Sequence, residues 1–193
     1  YINTTCPKGV DENERLHFIS PYGCSKGAVD QYVLDYAHTF GIRAVVIRQS
    51  CIYGPHQLGV EDQGWVAHFS KQFILNHPIT IFGDGYQVRD LLHVDDLTHL
   101  YDRAIQSIHT VTGQALNAGG GITNAYSLHQ VLELLKTKIG SSPQITYMAE
   151  RVGDQKYFVS NNTKAKKLLG WKPNISFTSG VESLITWQKE NLT

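Results

Sequence analysis

The stretch "FGIRAVVIRQS" (residues 40–50) decides the fold, because a helix stop is followed directly by an apolar run. Gly41 is a residue type that commonly ends a helix in the left-handed conformation. The run at residues 44–47 suits a strand that is buried on both faces of a parallel sheet. A helix, a glycine and a buried strand form half of a βαβ unit, so the sequence predicts an α/β fold.

The segments on either side continue this alternation. A polar loop is predicted for residues 1–19, and Ser20-Pro21 then opens a helix whose apolar residues recur at helical spacing as far as Phe40. After the strand, "SCIYGP" (residues 50–55) is predicted to be a turn. The remaining patterns predict helices over residues 64–75, 94–108, 127–140, 162–170 and 178–192, and strands over 79–82, 114–120 and 144–148.

Composition excludes several classes of protein. The 17 Lys and Arg residues balance 17 Asp and Glu residues, so no strong field favours nucleic acid or an anionic membrane. No apolar run reaches membrane-spanning length, and the first residues lack the pattern of a secretory signal. The cysteines, Cys6, Cys24 and Cys51, lack metal-site spacing and are predicted to be free thiols in a reducing, cytoplasmic setting. The scattered histidines likewise predict no metal site.

The stretch "SPYGCSK" (residues 20–26) carries the candidate chemistry. Tyr22 and Lys26 are four residues apart, which places them on one face of the predicted helix. A free phenol has a pKa near 10, and a nearby ammonium group favours the phenolate form that a general base needs. The alternative is an ordinary helix start with a solvated lysine, and the spacing alone does not decide between the two.

Several motifs in order resemble the extended short-chain dehydrogenase/reductase family, the NAD-dependent nucleotide-sugar epimerases and dehydratases. They are "YGCSKG" (22–27), "RQSCIYGP" (48–55), "GDGYQVRDLLHVDDL" (83–97), "LNAGGG" (116–121), "ERVGDQ" (150–155) and "KAKKLLGWKP" (164–173). The resemblance implies the later half of a Rossmann fold joined to a smaller mixed α/β substrate-binding domain. Residues 1–60 would complete the NAD-binding domain. Residues 61–193 would mainly bind the nucleotide sugar, with segments returning to the Rossmann sheet.

The resemblance also implies roles for the residues at the start of the helix and the end of the strand. Tyr22 would take the proton of a sugar hydroxyl while hydride leaves the carbon to NAD, and Lys26 would also contact the nicotinamide ribose. Gln49 and Ser50 would lie against the cofactor. Cys51 would face the sugar, at a position where many members carry asparagine; a buried small residue is the alternative reading.

Four more residues are implied as nucleotide-sugar ligands. Arg89 and Arg151 would bind the diphosphate, a role that suits the planar, bidentate guanidinium group. Asp154 would bind the ribose hydroxyls, with Gln87 assisting. Surface ion pairs are the alternative for the two arginines.

A narrower resemblance is to the CDP-paratose 2-epimerase (CDP-tyvelose epimerase) branch, which inverts C2 of a CDP-hexose. It is carried by residues 20–42 and by "DQGWV" (62–66), followed by "GDGYQVRD" (83–90). Asp62, Gln63 and Trp65 would line the sugar pocket, although Trp65 as a core anchor is an equal alternative. This narrower resemblance implies a role in lipopolysaccharide O-antigen biosynthesis.

Other readings stay open. The family includes 4-epimerases and 4,6-dehydratases, which share most of these motifs. The glycine clusters at 83–85 and 119–121 lack the G-x-G-x-x-G arrangement. The resemblance implies that the glycine fingerprint and the catalytic Ser or Thr would lie before Tyr1. A non-catalytic nucleotide-sugar-binding fragment is therefore a third reading. The resemblance implies a homodimer or higher oligomer. Asp90, His93, Asp95 and Asp96 are expected to organise a turn and a helix start.

Overall fold

The computed structural model describes residues 9–191, and its first helix is the predicted one. Helix α1 spans Pro21–Phe40. The hydroxyl of Ser20 accepts a 3.0 Å hydrogen bond from the backbone N–H of Gly23, which caps the first turn. Gly41 ends the helix with φ of 67°, a conformation that costs glycine little. Both predicted ends of this helix are confirmed.

The rest of the described chain alternates helices and short strands. Most predicted elements are present within a few residues of their expected bounds, including a capping box of Ser127 and Gln130 at the start of α5. The strands are β1 Val46–Gln49, β2 Cys51–Tyr53, β3 Ile79–Phe82, β4 Val88–His93, β5 Ala115–Ala118, β6 Ala125–Ser127, β7 Ile145–Met148 and β8 Tyr157–Phe158. The further helices are α2 Trp65–Leu75, α3 Val94–Gln106, α4 Ile108–Val111, α5 Leu128–Ile139, α6 Thr163–Leu169 and α7 Phe177–Asn191.

Strand β1 corrects one expectation. It begins two residues later than the apolar run at 44–47, and its residues are half-buried or exposed instead of buried on both faces. It pairs in parallel with β5, whose four residues are all buried. Within residues 9–191 β5 is its one sheet neighbour, so one edge of β1 has no strand against it there.

A second sheet is centred on β4, which the sequence patterns did not reveal as a strand. Strands β2 and β8 pair with it in parallel, and β6 pairs with it antiparallel. The expected turn after β1 is wrong at its start, because residues 51–53 form β2 after a single intervening residue, Ser50. The chain therefore changes sheets at Ser50. Strands β3 and β7 form a separate parallel pair.

Two hydrophobic clusters fill the interior. The larger joins α2, α5 and α7 to the faces of β2, β3 and β4, with Phe69, Leu135 and Phe177 among its buried members. The smaller joins α3 and α6 to β5 and includes Leu100, Leu116 and Trp171. The two clusters lie on opposite faces of β4, because its adjacent residues Leu91 and Leu92 belong to different clusters.

The buried side chain of Asp90 in β4 ties four parts of the chain together. It accepts hydrogen bonds from the backbone N–H groups of Gly121, at 2.9 Å, and Ser160, at 3.1 Å. The hydroxyls of Ser50 and Ser160 also donate to it. Because Asp90 is fully buried, these donors replace water around its oxygens. The expectation that Asp90 organises this region is confirmed, over a longer range than one turn.

Asp96 acts similarly at the start of α3. Its side chain is buried and accepts the backbone N–H groups of Asn174 and Ile175 at 3.0 and 2.9 Å. Its backbone carbonyl accepts the indole N–H of Trp171 at 2.9 Å. His93 is the N-cap residue, and its ring accepts from the N–H of Asp95. The expected helix start is confirmed, and Asp96 additionally fastens the segment between α6 and α7.

Every helix in residues 9–191 is too short or too polar to cross a lipid bilayer. In the same range, no three His, Cys, Asp or Glu side chains are grouped as metal ligands would be. Cys24 is exposed and unpaired, Cys51 is half-buried and unpaired, and Cys6 lies outside the described residues.

Replacing Asp90 tests its role as the tie. We expect Asp90→Ala to lower the free energy of unfolding by about 3 kcal/mol, because buried N–H donors lose their acceptor. Urea denaturation followed by circular dichroism measures the change. Asp35→Ala removes an exposed carboxyl group of α1 and is expected to change stability by less than about 0.5 kcal/mol. Equal effects of the two substitutions would contradict the assigned role.

Candidate functional site

The first two turns of α1 present Tyr22 and Lys26 to solvent. The Tyr22 side chain is 62% exposed, and the Lys26 ammonium nitrogen lies 5.4 Å from the centroid of its ring. The two residues are therefore neighbours on one helix face, as their spacing predicted. The geometry leaves both groups open to a ligand, and a positive charge stands next to the phenol.

At the end of β1, the side chains of Gln49 and Ser50 point in different directions. Gln49 is exposed and its amide donates to the hydroxyl of Tyr101. Ser50 is turned inward: its hydroxyl donates to Asp90 and its N–H donates to the carbonyl of Ala118 at 2.9 Å. The Ser50 side chain therefore fixes the strand junction.

Cys51 faces the indole of Trp65. The indole nitrogen lies 3.5 Å from the Cys51 sulfur, which accepts its hydrogen. Burial raises the pKa of the Cys51 thiol and keeps it neutral, a weak acceptor where asparagine would offer a strong one. Trp65 also packs edge-on against Phe69, with ring centroids 5.5 Å apart. The half-buried indole thus contacts both the core and the residue predicted to face the sugar.

Arg89 in β4 is held by Asp154. One guanidinium nitrogen lies 2.6 Å from a carboxylate oxygen of Asp154, and another donates to the carbonyl of Val88 at 2.8 Å. The amide of Gln87 reaches the second Asp154 oxygen at 3.5 Å and the carbonyl of Phe82 at 2.8 Å. Three of the four residues predicted to bind the nucleotide are thus in direct contact.

Arg151 is held from two sides. Its guanidinium carbon lies 3.9 Å above the ring of Phe82, and its nitrogen forms ion pairs with Asp62 at 2.8 Å and Glu61 at 3.5 Å. Asp62 belongs to the loop between β2 and α2, where Gln63 is exposed and forms a backbone bridge to Val60. The structure therefore brings the "DQGW" segment to the arginine that the wider family motif singles out.

A cavity of about 210 Å³ adjoins these contacts. Gln87 and Asp154 line the cavity, and the buried amide oxygen of Gln87 has no hydrogen-bond partner among the described residues. Such an acceptor is costly to bury unpaired, so it suits a ligand that brings a donor. The lining residues are Gly83, Asp84, Tyr86, Gln87, Glu150, Asp154, Gln155 and Lys156.

Sequence reasoning missed several residues here. Phe82 supports Arg151 from below and its carbonyl holds Gln87, but in sequence it is only the last apolar residue of a predicted strand. Glu61 and Lys156 lie outside the quoted motifs, and Glu150 opens "ERVGDQ" without an assigned role. The only available signal was their position beside motif residues, since the contacts depend on the folding of segments that are far apart in sequence.

Comparisons with known proteins agree on one family. The profile described as the NAD dependent epimerase/dehydratase family matches residues 4–119. A CDP-paratose 2-epimerase of Salmonella typhi is 41% identical over 94% of this chain and 55% of its own length. A UDP-glucuronate 4-epimerase of Thermodesulfobacterium geofontis is 34% identical over 90% and 52%. The chain thus spans about half the length of these relatives.

Solved structures extend the match to the fold. The UDP-glucuronic acid 4-epimerase of Bacillus cereus, solved with UDP-glucuronic acid and NAD, superposes with a TM-score of 0.86 at 28% identity. The match covers 94% of this chain and 56% of that one. The α/β architecture is therefore that of the later part of a Rossmann-type epimerase. By its family motifs, its sequence match and its fold, the chain belongs to the NAD dependent epimerase/dehydratase family.

Proposed function

We propose that this chain is part of an NAD-dependent epimerase that inverts C2 of a CDP-hexose, as in conversion of CDP-paratose to CDP-tyvelose, through a transient 2-keto sugar. The ion pair between Asp62 and Arg151 carries the proposal. It brings the segment that resembles the 2-epimerase branch to the arginine proposed to bind the diphosphate. The sequence similarity to the Salmonella typhi enzyme supports the same choice.

In the proposed reaction Tyr22 removes the proton from the sugar hydroxyl at C2 and later returns it. Its exposure leaves the phenol hydroxyl accessible to a sugar. The Lys26 ammonium nitrogen lies 5.4 Å from the centroid of the Tyr22 ring, so a positive charge stands beside the group that accepts the proton. Bound NAD supplies the hydride acceptor and then the hydride donor, so the overall reaction is an isomerisation.

The residues at the end of β1 suit such a cofactor. Ligands of open α/β folds bind beyond the carboxyl ends of parallel strands, which is where Gln49 ends β1 and Ser50 follows it. The side chains of Lys26 and Gln49 are exposed, and the amide of Gln49 donates to the hydroxyl of Tyr101. We propose that Tyr22, Lys26, Gln49 and Ser50 hold the nicotinamide part of NAD.

The nucleotide end of the substrate is assigned to the cavity of about 210 Å³ and its neighbours. Arg89 and Arg151 bind the diphosphate, exchanging part of their carboxylate partners for phosphate oxygens. Asp154 accepts hydrogen bonds from the ribose hydroxyls, and the unpaired amide oxygen of Gln87 accepts one from a further donor on the ligand. At the sugar end, Cys51, Asp62, Gln63 and Trp65 are proposed to line the pocket.

Two organisational features complete the proposal. Residues 1–60 contribute to the NAD-binding domain, and residues 61–193 bind mainly the nucleotide sugar; the pairing of β1 with β5 supports a segment that returns to the first sheet. We also propose a homodimer or higher oligomer. Exposed Val29, Tyr32, Tyr36 and Phe40 on α1 offer apolar surface that association would bury.

The Tyr22 hydroxyl provides the first test. In the protein at its natural length, Tyr22→Phe is expected to lower kcat for C2 epimerisation on the order of 10³-fold, because the proton acceptor is lost. Product formation is measured by NMR. Tyr32→Phe on the same helix, where the side chain is also exposed, should leave kcat unchanged. Full activity of Tyr22→Phe with an intact circular dichroism spectrum would refute the assigned role.

Arg89 provides a separate test of substrate binding. We expect Arg89→Met to weaken CDP binding at least tenfold, the effect of losing about 1.4 kcal/mol, because the diphosphate loses a charge-assisted partner. Cytidine lacks the diphosphate, so its affinity should change far less. Isothermal titration of both ligands measures the difference, with Arg43→Met as the exposed-cation control. Equal losses for CDP and cytidine would contradict the diphosphate assignment.

A further inference from the structure

Phe18 lies directly on the backbone of α1 at Gly27. A Cβ atom added to Gly27 would be 2.0 Å from Cζ of the Phe18 ring and 2.4 Å from Cε2, so no side chain can occupy this position while the ring is there. Gly27 is buried, although most of α1 is exposed. The ring therefore covers the helix one residue beyond Lys26.

The next residue, Ile19, contacts a different part of the molecule. Its Cγ2 methyl would lie 3.1 Å from a Cβ atom at Gly153, so it packs against that glycine. Gly153 has φ of +83°, which glycine adopts readily. It stands between Arg151 and Asp154, the two loop residues assigned to the nucleotide sugar. Ile19 therefore touches the loop that carries the substrate ligands.

Residues 18–20, which we call the linking segment, thus hold two elements at once. Phe18 packs on α1, Ile19 packs on the loop at residues 151–154, and Ser20 caps the first turn of α1. Upstream, the chain is fastened by hydrogen bonds of Val10 with Val159 and Asn161, each at 2.8 Å. The chain is therefore anchored at Val10, eight residues before the linking segment.

The rest of α1 is held further along its length. Asp30 is buried and forms an ion pair with Arg48 of β1 at 2.7 Å, and these hydrogen bonds hold the pKa of Asp30 below its usual value. Ala37 is the other buried position beyond Gly27. At the first two turns, which carry Tyr22 and Lys26, Phe18 packs on Gly27 and Ser20 caps the N–H of Gly23.

We propose that Phe18 and Ile19 are positioning residues, which align the Tyr22 and Lys26 pair with the Arg151 and Asp154 loop. The inference rests on the proposed function, because it assigns those two groups to the proton-transfer and nucleotide ends of one substrate. When the diphosphate is fixed on the loop, the linking segment sets where the sugar hydroxyl lies relative to the Tyr22 phenol. Displacing the sugar hydroxyl from the Tyr22 phenol by about 1 Å can lower kcat about 10²-fold.

Gly27→Ala is the sharpest test, because alanine is the better helix former and the substitution would strengthen an unobstructed helix. In the protein at its natural length we expect it to displace the Phe18 ring and lower kcat at least tenfold, while the Kd of CDP stays within twofold. Gly23→Ala is the matched control, since its added Cβ would meet the Ser20 hydroxyl oxygen at 3.4 Å and the Phe18 Cβ at 3.9 Å, an ordinary contact that leaves the ring in place. We expect Gly23→Ala to retain the unaltered kcat.

Two further variants separate alignment from general damage. Phe18→Ala should lower kcat as Gly27→Ala does, and the double variant should be no worse than Phe18→Ala, because both act by removing the same contact. Ile19→Ala frees the loop side, so its Kd for CDP should rise at least threefold. Circular dichroism and the CDP titration report folding independently of turnover.

The outcomes distinguish the two levels of the account. Unaltered kcat in Gly27→Ala and Phe18→Ala, in a protein that epimerises its substrate, would overturn the alignment role and leave the proposed function standing. Parallel losses of kcat and CDP affinity in Gly27→Ala would show a structural role only, and would also overturn it. An unaltered protein that binds CDP but does not epimerise would contradict the proposed function, and the alignment role with it.

Discussion

The buried side chain of Asp90 is the constraint on which the rest of the structure depends. A fully buried carboxyl group must be satisfied by protein donors, and here they come from Ser50, Gly121 and Ser160. Ser50 is the single residue between β1 and β2, where the chain passes from one sheet to the other. Asp90 therefore fixes the junction whose flanking residues, Gln49 and Cys51, are assigned to the cofactor and the sugar.

On its other face, β4 carries the positively charged side chain of Arg89. Consecutive residues of a strand point in opposite directions, so Asp90 faces the interior junction while Arg89 reaches Asp154, which lines the cavity proposed to hold the nucleotide. Strand β4 thus joins Asp90, which holds the junction between β1 and β2, to Arg89, which is proposed to bind the diphosphate. The linking segment makes the complementary connection from the outside, between α1 and the loop at residues 151–154.

Local signals predicted those parts of the fold that local physics determines. Ser20, Gly41 and the capping box at Ser127 mark helix ends through hydrogen bonds and backbone conformation within a few residues. Strand β4 escaped prediction because Arg89 and Asp90 interrupt its apolar pattern, and only the distant donors make Asp90 tolerable in the interior. The site divides in the same way. The Tyr22 and Lys26 pair follows from helical spacing, whereas the contacts of Phe18 with Gly27 join segments with no shared pattern.

The fate of the hydrogen at C2 tests the central claim most directly. A CDP-hexose carrying deuterium at C2 would be incubated with the protein at its natural length, and the product analysed by NMR. Because the hydrogen leaves and returns as hydride on bound cofactor, we predict a product inverted at C2 that retains its deuterium. Loss of deuterium to solvent, or a change at C4 or C6 with C2 intact, would contradict the account.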